Sequence, residues 1–571
     1  MKITGAELFV KALKEEHVDV LFAYPGGQAI DLFDALYGEE AIEVILPRHE
    51  QGLIHAADGY ARSTGKVGVC LVTSGPGATN LVTGIATANY DSVPLVCFTG
   101  QVPTNLMGKH AFQEVDIADI TKSITKYAVT VKRREDLGKT IKKAFHIAKN
   151  GKPGVVVVDL PKDIQKEYGS NIYPPDDFTP YEKRNISAFS DQIEKALDIL
   201  HEAKRPVFLI GGGVNIACAN GEMTQLAEMT GIPVVTTIMG KGAISTTHKL
   251  YVGNLGIHGS CGANFAITQC DVLFAIGTRF NDRITGKVQE FATNAVIIHA
   301  DIDEDVISRN VAADISIVAD AKQVIDALLH KAVSLNTTKW LEKIGSWKEW
   351  HPLSMKEKGI TPQRIMEAIN EIFKEAVITT DVGQNQLWAT QFLEIDEYKT
   401  MLTSGGLGTM GYGLPAAIGA QLGNPDKTVI AISGDGGIQM NIQEMATAIV
   451  YELPVIICIL NNGYLGNVRQ WQEMFYDRRY SATCMRYRKS CASYCSRPEE
   501  ECPEYTPDFV KLAESYGARG MRVTDADNIK TALIEAKQNR WTPTVIEFII
   551  AREANVLPIV PPGSSLSEMI F

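Results

Sequence analysis

Two neighbouring apolar runs near the end of the chain finish in side chains that carry oxygen. Residues 428–433 lead into Gly434-Asp435-Gly436-Gly437, and residues 455–460 lead into Asn461-Asn462. If both runs are parallel strands, their ends share one crevice, where a carboxylate, an amide carbonyl and backbone oxygens suit the octahedral, oxygen-only demand of Mg²⁺. Each turn alone is an ordinary Asp-Gly or Asn-Gly turn. Together they predict a cation that bridges a diphosphate to the protein.

Three further loops could contact the same ligand. Residues 380–385 end in Gln384 and Asn385, which together with backbone N–H groups are suitable donors to a diphosphate. Residues 403–411 form a glycine-rich loop, where the backbone can approach a ligand closely. Residues 73–80 would place small side chains and a helix N-terminus beside it, although a plain strand-to-helix turn has the same sequence pattern.

Glu50 is the candidate for acid–base chemistry in the first third of the chain. It follows Arg48-His49 and precedes a helix-like segment at residues 55–62. A single glutamate at such a position is more often a solvated residue at the start of a helix. A partly desolvated carboxyl, by contrast, exchanges protons well near neutral pH. The role of Glu50 therefore depends on what surrounds it.

The elements that must position these residues are short apolar runs, rich in β-branched residues, that recur along all 571 residues. Most end in Gly, Asp or Asn before a helix-like segment, which is typical of buried parallel strands and predicts an α/β fold. They fall into three groups and so predict three doubly wound parallel sheets, in domains 1–168, 190–335 and 360–571. The runs are residues 67–73, 94–99, 154–160, 206–210, 233–236, 271–276, 295–300, 376–380, 428–433, 455–460 and 543–549.

Two polar stretches separate these groups. Residues 168–190 contain prolines and charges that oppose regular structure, so we expect a linker there. Residues 334–361 carry Trp340, Trp347 and Trp350 on a helix-like spacing.

The composition favours a globular protein that acts on small molecules. With 55 basic and 67 acidic residues the net charge is −12, which argues against a general affinity for nucleic acid or anionic lipid. Residues 1–16 have the pattern of an amphipathic helix rather than a signal peptide, and no apolar run is long enough to span a bilayer. We therefore expect a cytoplasmic protein without membrane association.

The 10 cysteines divide into two sets. Six stand singly in apolar contexts and are expected in the core: Cys70, Cys97, Cys218, Cys261, Cys270 and Cys458. The other four lie in one polar stretch that resembles an insertion: Cys484, Cys491, Cys495 and Cys502. Their spacing is not a standard zinc pattern, so separate thiols and a bound metal or cluster both remain open.

The ordered motifs resemble the large catalytic subunit of acetohydroxyacid synthase, also called acetolactate synthase, over essentially the whole chain. The motifs that carry this resemblance lie at residues 24–27, 48–52, 111–114, 277–283, 434–437, 461–471 and 556–558. Members are transferases that decarboxylate pyruvate on thiamine diphosphate and ligate the two-carbon unit to a second pyruvate or to 2-ketobutyrate. This is the first common step of branched-chain amino-acid biosynthesis.

The resemblance implies the roles of the residues around thiamine diphosphate. Asp435, Asn462 and the backbone carbonyl of Tyr464 would hold Mg²⁺, Glu50 would exchange a proton with the pyrimidine ring, and Met410 would wedge the cofactor into a bent shape. The catalytic residues are then Glu50, Gln113, Met410, Arg283 and Trp471. The remaining contacts to this cofactor would be Gly26, Gly27, Thr73, Pro76, Asn80, Gln113, Val382, Gly383, Gln384, Asn385, Gly408, Gly434, Gly436, Gly437, Leu465 and Gly466.

The resemblance also implies a second cofactor, an acceptor site and an oligomer. Arg283 would bind the carboxylate of the acceptor and Trp471 its alkyl group. FAD, which would be structural because the reaction moves no net electrons, would contact Gly211, Gly212, Gly213, Thr237, Gly277, Arg279, Asp282, Arg283, Asp301, Ile302 and Asp320. Because the family combines Glu50 and the metal site from different subunits, we expect a homodimer or a dimer of dimers, with a separate regulatory small subunit as a further possible partner.

Five residues depart from the family pattern near the expected site: Gln28, Lys109, His110, Asn385 and Asn467. Their polarity leaves open a related thiamine-diphosphate lyase or 2-keto-acid decarboxylase with an altered acceptor pocket. A catalytically dead homologue is disfavoured, because Glu50 and all the metal ligands are present.

Overall fold

The computed structural model describes residues 2–175, 178, 189–491 and 502–571. Within these residues the chain forms three parallel sheets of six strands each and one short antiparallel pair. Helices cover both faces of every sheet, as expected for strands joined by helical crossovers. The predicted α/β class with three doubly wound sheets is therefore confirmed.

The first sheet has the strand order β3-β2-β4-β5-β7-β6, and the antiparallel pair β1-β8 lies beside it. Its strands are β1 (Lys2–Ile3), β2 (Val20–Tyr24), β3 (Glu43–Ile45), β4 (Gly68–Val72), β5 (Leu95–Gln101), β6 (Tyr127–Thr130), β7 (Val155–Pro161) and β8 (Gly169–Ser170). Its helices are α1 (Gly5–Glu15), α2 (Ile30–Leu36), α3 (Glu50–Thr64), α4 (Pro76–Thr79), α5 (Val82–Tyr90), α6 (Ile117–Thr121), α7 (Leu137–Lys149) and α8 (Lys162–Lys166).

The middle sheet has the order β11-β10-β9-β12-β13-β14. Its strands are β9 (Pro206–Ile210), β10 (Val234–Thr236), β11 (Tyr251–Asn254), β12 (Val272–Ile276), β13 (Val296–Asp301) and β14 (Ile315–Val318). Its helices are α9 (Ser190–Glu202), α10 (Gly212–Ile216), α11 (Asn220–Thr230), α12 (Cys261–Gln269), α13 (Asp282–Thr285), α14 (Ala321–Leu329) and α15 (Thr338–Trp350). The order reverses between β9 and β12, and such a reversal opens a crevice beyond the carboxyl ends of the strands.

The last sheet has the order β16-β15-β17-β18-β20-β19. Its strands are β15 (Val377–Thr380), β16 (Met401–Leu402), β17 (Val429–Gly434), β18 (Ile456–Asn461), β19 (Arg519–Val523) and β20 (Thr544–Ile549). Its helices are α16 (Pro362–Ile372), α17 (Gln384–Phe392), α18 (Gly413–Gly423), α19 (Asp435–Ile438), α20 (Met445–Val450), α21 (Gly466–Phe475), α22 (Phe509–Tyr516) and α23 (Ile529–Gln538). Counted along the chain, its strands follow the same order as those of the first sheet.

Alternation along the central strands explains how each sheet buries both of its faces. Val156 and Val158 of β7 belong to one apolar cluster, whereas Val155 and Val157 belong to the cluster on the opposite face. Since successive side chains point to opposite sides of a strand, a continuous β-branched run fills both clusters at once. This is why the uninterrupted apolar runs in the sequence coincide with central strands.

The first and last sheets contact each other through helices α3 and α18. A Cβ added to Gly59 would collide with the carbonyl of Ala416, and one added to Gly419 would collide with the carbonyl of Ala56. The two helix backbones therefore touch, which only glycine allows. Tyr412, at the start of α18, donates a hydrogen bond of 2.6 Å to Oδ1 of Asp58 on α3.

The predicted runs all contain observed strands, but other expectations needed correction. Short edge strands such as β3 and β16 lie outside the predicted runs, and so does the internal strand β2. The expected linker begins with strand β8, and most of the rest of it lies outside the described residues. Cys218 is exposed, whereas the other five cysteines expected in the core are buried. Among the described residues, no helix is both long and apolar enough to cross a membrane.

Candidate functional site

Asp435 and Asn462 lie at the carboxyl ends of two adjacent strands. Strands β17 and β18 pair in parallel, with Gly434 opposite Leu460, so the two turns open at the same edge of the sheet. Asp435 is buried, and its Oδ2 atom has no hydrogen-bond partner among the described residues. Burial raises the pKa of this carboxyl to about 7. A buried carboxylate oxygen without a donor fits a bound cation, which would offset the cost of its burial.

Hydrogen bonds fix the turn that follows β18. The backbone N–H of Tyr464 donates to Oδ1 of Asn462 at 3.0 Å, and Nδ2 of Asn462 donates to Oε1 of Gln384 at 3.1 Å. Nε2 of Gln384 in turn donates to Oε1 of Gln470 at 2.9 Å. The turn is thus tied to helices α17 and α21, and Gly466 packs against Gln384 where a Cβ would collide.

Three glycines leave their backbones open beside this turn. Gly383 and Gly408 have φ values of 136° and 73°, which disfavour residues with a side chain. A Cβ on Gly408 would meet only Val382, at 3.9 Å, and one on Gly434 would meet only Asn385, at 3.5 Å. The space fits a diphosphate held by backbone N–H groups.

Asp381 is a site residue that the sequence analysis missed. Its carboxylate accepts hydrogen bonds from the N–H groups of Val382, Gly411 and Gly413, at 2.8 to 3.2 Å. Burial raises its pKa to about 6. Because Gly411 adjoins Met410, Asp381 fixes the loop that presents Met410. Its position directly after a predicted strand was the available signal.

Glu50 begins helix α3 in the first domain, where Nδ1 of His49 accepts a 3.0 Å hydrogen bond from the N–H of Gln51. Nδ2 of Asn80 donates to Oε2 of Glu50 at 3.0 Å. A Cβ on Gly77 would lie 3.5 Å from Oε1 of the same carboxyl, which leaves that oxygen beside an open glycine surface. The carboxyl is therefore held by one amide, is only partly buried, and has no ion pair with any of the residues that the structure describes.

The neighbouring loops of the first sheet converge on this carboxyl. Thr73 packs against both Gly26 and Gly77, and the backbone of Gln113 packs against Gly75. Gly27 has open space where a Cβ would stand. The structure thus brings Glu50 together with the loops after β2 and β4. Pro76 begins α4 in the second of these loops.

Glu444, which the sequence analysis also missed, holds Glu50 in place from the last domain. Its carboxylate accepts hydrogen bonds from the N–H groups of Arg48 and His49, at 3.0 to 3.1 Å. Acidic side chains stabilise helix N-termini, and this one comes from far along the chain. No hydrogen bond among the described residues links Glu50 to Asp435 or Asn462.

Arg283 and Trp471 meet although they belong to different domains. The guanidinium carbon of Arg283 lies 5.9 Å from the centre of the Trp471 ring. The Arg283 side chain is 61% exposed, and its Nε atom lies 3.6 Å from Oδ2 of Asp282, which is also exposed. A surface ion pair of this kind contributes little, which leaves the guanidinium available to a ligand. Nε1 of Trp471 is buried with no partner in the described part of the chain.

The middle domain brings the predicted flavin contacts to its crevice. Gly211 and Gly213 pack against Gly277 so closely that a Cβ on either would clash, so the loops after β9 and β12 lie side by side. Arg279 extends from the second loop over the Tyr90 ring, at 6.0 Å. Oδ1 of Asn281 is buried and accepts no hydrogen bond from the described residues. A donor group of a bound ligand could fill this role.

The other predicted flavin contacts have varied surroundings. The hydroxyl of Thr237 accepts a hydrogen bond from the N–H of Gly240 at 3.1 Å. Asp301 ends β13 next to Ile302, and its burial raises its pKa to about 6. The carboxylate of Asp320 caps helix α14, accepting from the N–H groups of Lys322 and Gln323.

The residues that depart from the family pattern divide into exposed and buried ones. Lys109 and His110 are exposed. The Oε1 atom of Gln28 and the Oδ1 atom of Asn467 are buried without partners among the described residues. Nδ2 of Asn385 donates to the carbonyls of Asp381 and Ile432, at 2.8 and 3.1 Å, and so ties β15 to β17.

Three of the four clustered cysteines fall within the described residues, and Cys495 lies outside them. Cys484, Cys491 and Cys502 are half-buried thiols. In the described part of the chain no group of three or more His, Cys, Asp or Glu side chains could hold a metal ion.

Comparison with known proteins assigns the family. Three family models match: thiamine pyrophosphate enzyme N-terminal TPP binding domain at residues 3–120, central domain at 193–328 and C-terminal TPP binding domain at 381–548. The probable acetolactate synthase large subunit of Methanocaldococcus jannaschii is 46% identical over 99% of this chain and 95% of its own length. The acetolactate synthase large subunits of Parasynechococcus marenigrum and Corynebacterium glutamicum are each 44% identical over 100% of this chain, and over 91% and 90% of their own lengths. The chain therefore belongs to the acetolactate synthase large-subunit family of thiamine pyrophosphate enzymes.

Proposed function

We propose that this chain is an acetolactate synthase, which decarboxylates pyruvate and ligates the two-carbon unit to a second pyruvate or to 2-ketobutyrate. The observation that carries this proposal is the meeting of Arg283 and Trp471 at 5.9 Å. A simple decarboxylase binds one keto acid and has no need of a second cationic site. A guanidinium beside an aromatic face fits the carboxylate and the alkyl group of an acceptor.

Mg²⁺ and thiamine diphosphate would be held by the last domain. The partnerless Oδ2 atom of Asp435 supports a cation there, with Asn462 and the carbonyl of Tyr464 completing the protein ligands. The open backbones at Gly383, Gly408 and Gly434 would bind the diphosphate. When bound, the cofactor would supply a thiazolium carbon that bonds to the keto carbon of pyruvate and a cationic ring that takes up the electron pair released as CO₂ leaves.

Glu50 and Asn80 would serve the other end of the cofactor. The carboxyl of Glu50 would exchange a proton with the pyrimidine ring nitrogen, and the hydrogen bond from Asn80 would hold the carboxyl in the orientation that this exchange needs. Gln113, Thr73, Gly26 and their loops surround the same position. Met410, fixed by Asp381, supplies an apolar surface that shapes the bound cofactor.

FAD would lie in the crevice of the middle domain, against residues 211–213 and 277–283. The partnerless Oδ1 of Asn281 and the adjoining glycine loops fit such a ligand. The reaction moves no net electrons, so the flavin would hold the middle domain in shape beside Arg283 rather than transfer electrons.

The active unit would be a homodimer or a dimer of dimers, in which Glu50 of one subunit faces Asp435 of another. The resemblance to the family, whose sites combine these two residues from different subunits, supports this arrangement. A separate regulatory small subunit and a cytoplasmic location are further parts of the proposal, as are domain limits at 1–168, 190–335 and 360–571.

The alternative is a related thiamine-diphosphate lyase or 2-keto-acid decarboxylase, favoured by the buried polar atoms of Gln28 and Asn467. Product identification separates the two. The protein is incubated with pyruvate, Mg²⁺, thiamine diphosphate and FAD, with and without 2-ketobutyrate. We expect acetolactate, joined by acetohydroxybutyrate when 2-ketobutyrate is present. Acetaldehyde without either product would reject the synthase assignment.

A further inference from the structure

Cys484, the first of the four clustered cysteines, lies against the turn that carries Asn462 and Tyr464. Cys484 stands opposite Tyr464 in an isolated antiparallel bridge. On either side of it, the N–H of Leu465 donates to the carbonyl of Thr483, and the N–H of Met485 donates to the carbonyl of Gly463, both at 2.9 Å. The backbone around Cys484 therefore supports the proposed metal-binding turn.

One guanidinium brings Cys484 and Cys502 together. Nη1 of Arg552 donates to Sγ of Cys502 at 2.9 Å, and Nη2 donates to Sγ of Cys484 at 3.8 Å. The same guanidinium lies 4.7 Å above the ring of Tyr464. Cys484 and Cys502, two half-buried thiols, are thus neighbours. The Arg552 guanidinium between them packs against Tyr464 in the turn proposed to bind the metal.

We propose that Cys484 and Cys502 form a reversible oxidation site for low-molecular-weight disulfides. The sulfur of Cys484 attacks the disulfide and releases one small thiol, and the sulfur of Cys502 then attacks Cys484 and releases the second. The two cysteine side chains lose two protons and two electrons, which the small disulfide gains as it becomes two thiols. The product is a disulfide between Cys484 and Cys502, and excess dithiol reverses the reaction.

Bond formation would loosen the turn. The sulfurs must close to about 2.05 Å, so Cys484 shifts relative to Tyr464 while Arg552 loses its thiol partners. Residues that support metal ligands typically contribute about 10–100-fold to metal affinity. The oxidised protein should therefore need about tenfold more Mg²⁺ to bind thiamine diphosphate. This consequence rests on the proposed metal site, whereas the disulfide itself does not.

The experiment uses the full-length protein under anaerobic conditions. One sample is treated with oxidised glutathione, and a second is treated with oxidised glutathione and then with dithiothreitol. In each sample the remaining thiols are alkylated before peptide mass mapping. Thiamine-diphosphate binding is titrated with Mg²⁺ in both states. We expect a Cys484–Cys502 linkage that dithiothreitol removes, and a roughly tenfold higher Mg²⁺ requirement while it is present.

Variants make the assignment specific. Cys484→Ser and Cys502→Ser should each abolish the effect of oxidised glutathione on the Mg²⁺ requirement, whereas the exposed Cys218→Ser should retain it. Circular dichroism checks the folding of each variant, and the wild-type linkage is measured independently of them. A linkage through Cys491 or Cys495 instead, or zinc copurifying with the thiols, overturns the proposal. A linkage that leaves the Mg²⁺ requirement unchanged rejects the coupling, and product identity plays no part in either readout.

Discussion

The first and last sheets have the same strand order but place different side chains at matching connections. Helix α3 follows β3, and helix α18 follows β16, the strands at matching edges of the two sheets. The connection into α3 ends in Glu50, whereas the connection into α18 carries Met410. Under the proposed roles, one scaffold supplies a proton-exchanging carboxyl in one copy and an apolar wedge in the other, as expected where chemistry belongs to the loops and not to the fold.

A second pair of connections differs in the same way. After β4 the chain reads Ser74-Gly75-Pro76, without a carboxylate, whereas after β17 it reads Gly434-Asp435-Gly436. Of these two connections, only the one in the last sheet carries a carboxylate that could bind a cation. Under the proposed roles, neither sheet carries a complete set of groups, and one cofactor needs both.

The largest effect should come from the first sheet. Glu50→Gln should retain cofactor binding but lose about 100- to 10,000-fold in turnover, the usual contribution of a positioned acid or base. Steady-state kinetics with a thiamine-diphosphate titration measure both quantities. The exposed Glu43→Gln is the matched control and should behave as wild type. Near-normal turnover of Glu50→Gln would remove this residue from the proton transfer.

The matching change in the last sheet should act on binding instead. Asp435→Ala should weaken Mg²⁺ and thiamine-diphosphate binding by at least about 100-fold, because even groups that only support metal ligands contribute about 10–100-fold. Excess cofactor should restore part of the activity. The exposed Asp426→Ala serves as control, and an unchanged cofactor affinity in Asp435→Ala would show that the metal lies elsewhere.

The middle domain extends the comparison to the acceptor. Arg283→Ala should raise the acceptor concentration needed by about 10- to 100-fold, the loss of a charged hydrogen bond, and divert product toward acetaldehyde. Arg283→Lys keeps the charge without the two-pronged geometry and should recover only part of the effect. The ratio of acetolactate to acetaldehyde is the measurement. An unaltered ratio in Arg283→Ala would place the acceptor at another cation.

Trp471 should have the smallest effect. Trp471→Leu should reduce the preference for 2-ketobutyrate over pyruvate by about tenfold, since one methylene in an apolar pocket contributes about 1 to 3 kcal/mol. Competition between the two acids measures this preference, with Trp471→Phe as the conservative control. If the preference stays constant in both variants, Trp471 has only a packing role.

The sequence was informative where local pattern determined the structure. Asp435 and Asn462 follow long β-branched runs, and such runs become adjacent central strands because only these strands are buried on both faces. Edge strands such as Met401–Leu402 are short and lack this pattern, so they lie outside the predicted runs. The internal strand β2 also lies outside them, because only one of its five residues, Val20, is β-branched. Cys218 was expected in the core because its neighbours are apolar, but it follows the short helix α10 at the surface.

Local sequence patterns could not predict contacts between segments that are distant along the chain. Glu444 binds the N–H groups before Glu50 from nearly 400 residues away, and nothing in its own neighbourhood indicates this. Asp381 looks like an ordinary strand-end residue until the glycine loop folds onto it. Arg283 and Trp471 were identified from the family resemblance, while their mutual contact depends on how two domains pack.

In the proposed dimer, one site combines Glu50 of one subunit with Asp435 of another. Mixing the inactive Glu50→Gln and Asp435→Ala proteins after reversible dissociation tests it, because a mixed dimer has one site with both residues intact. Activity should return to about a quarter of wild type, since random pairing of subunits in a two-fold dimer makes half of the dimers mixed. Native mass spectrometry measures the mixed fraction. Mixed dimers without activity would contradict the claim.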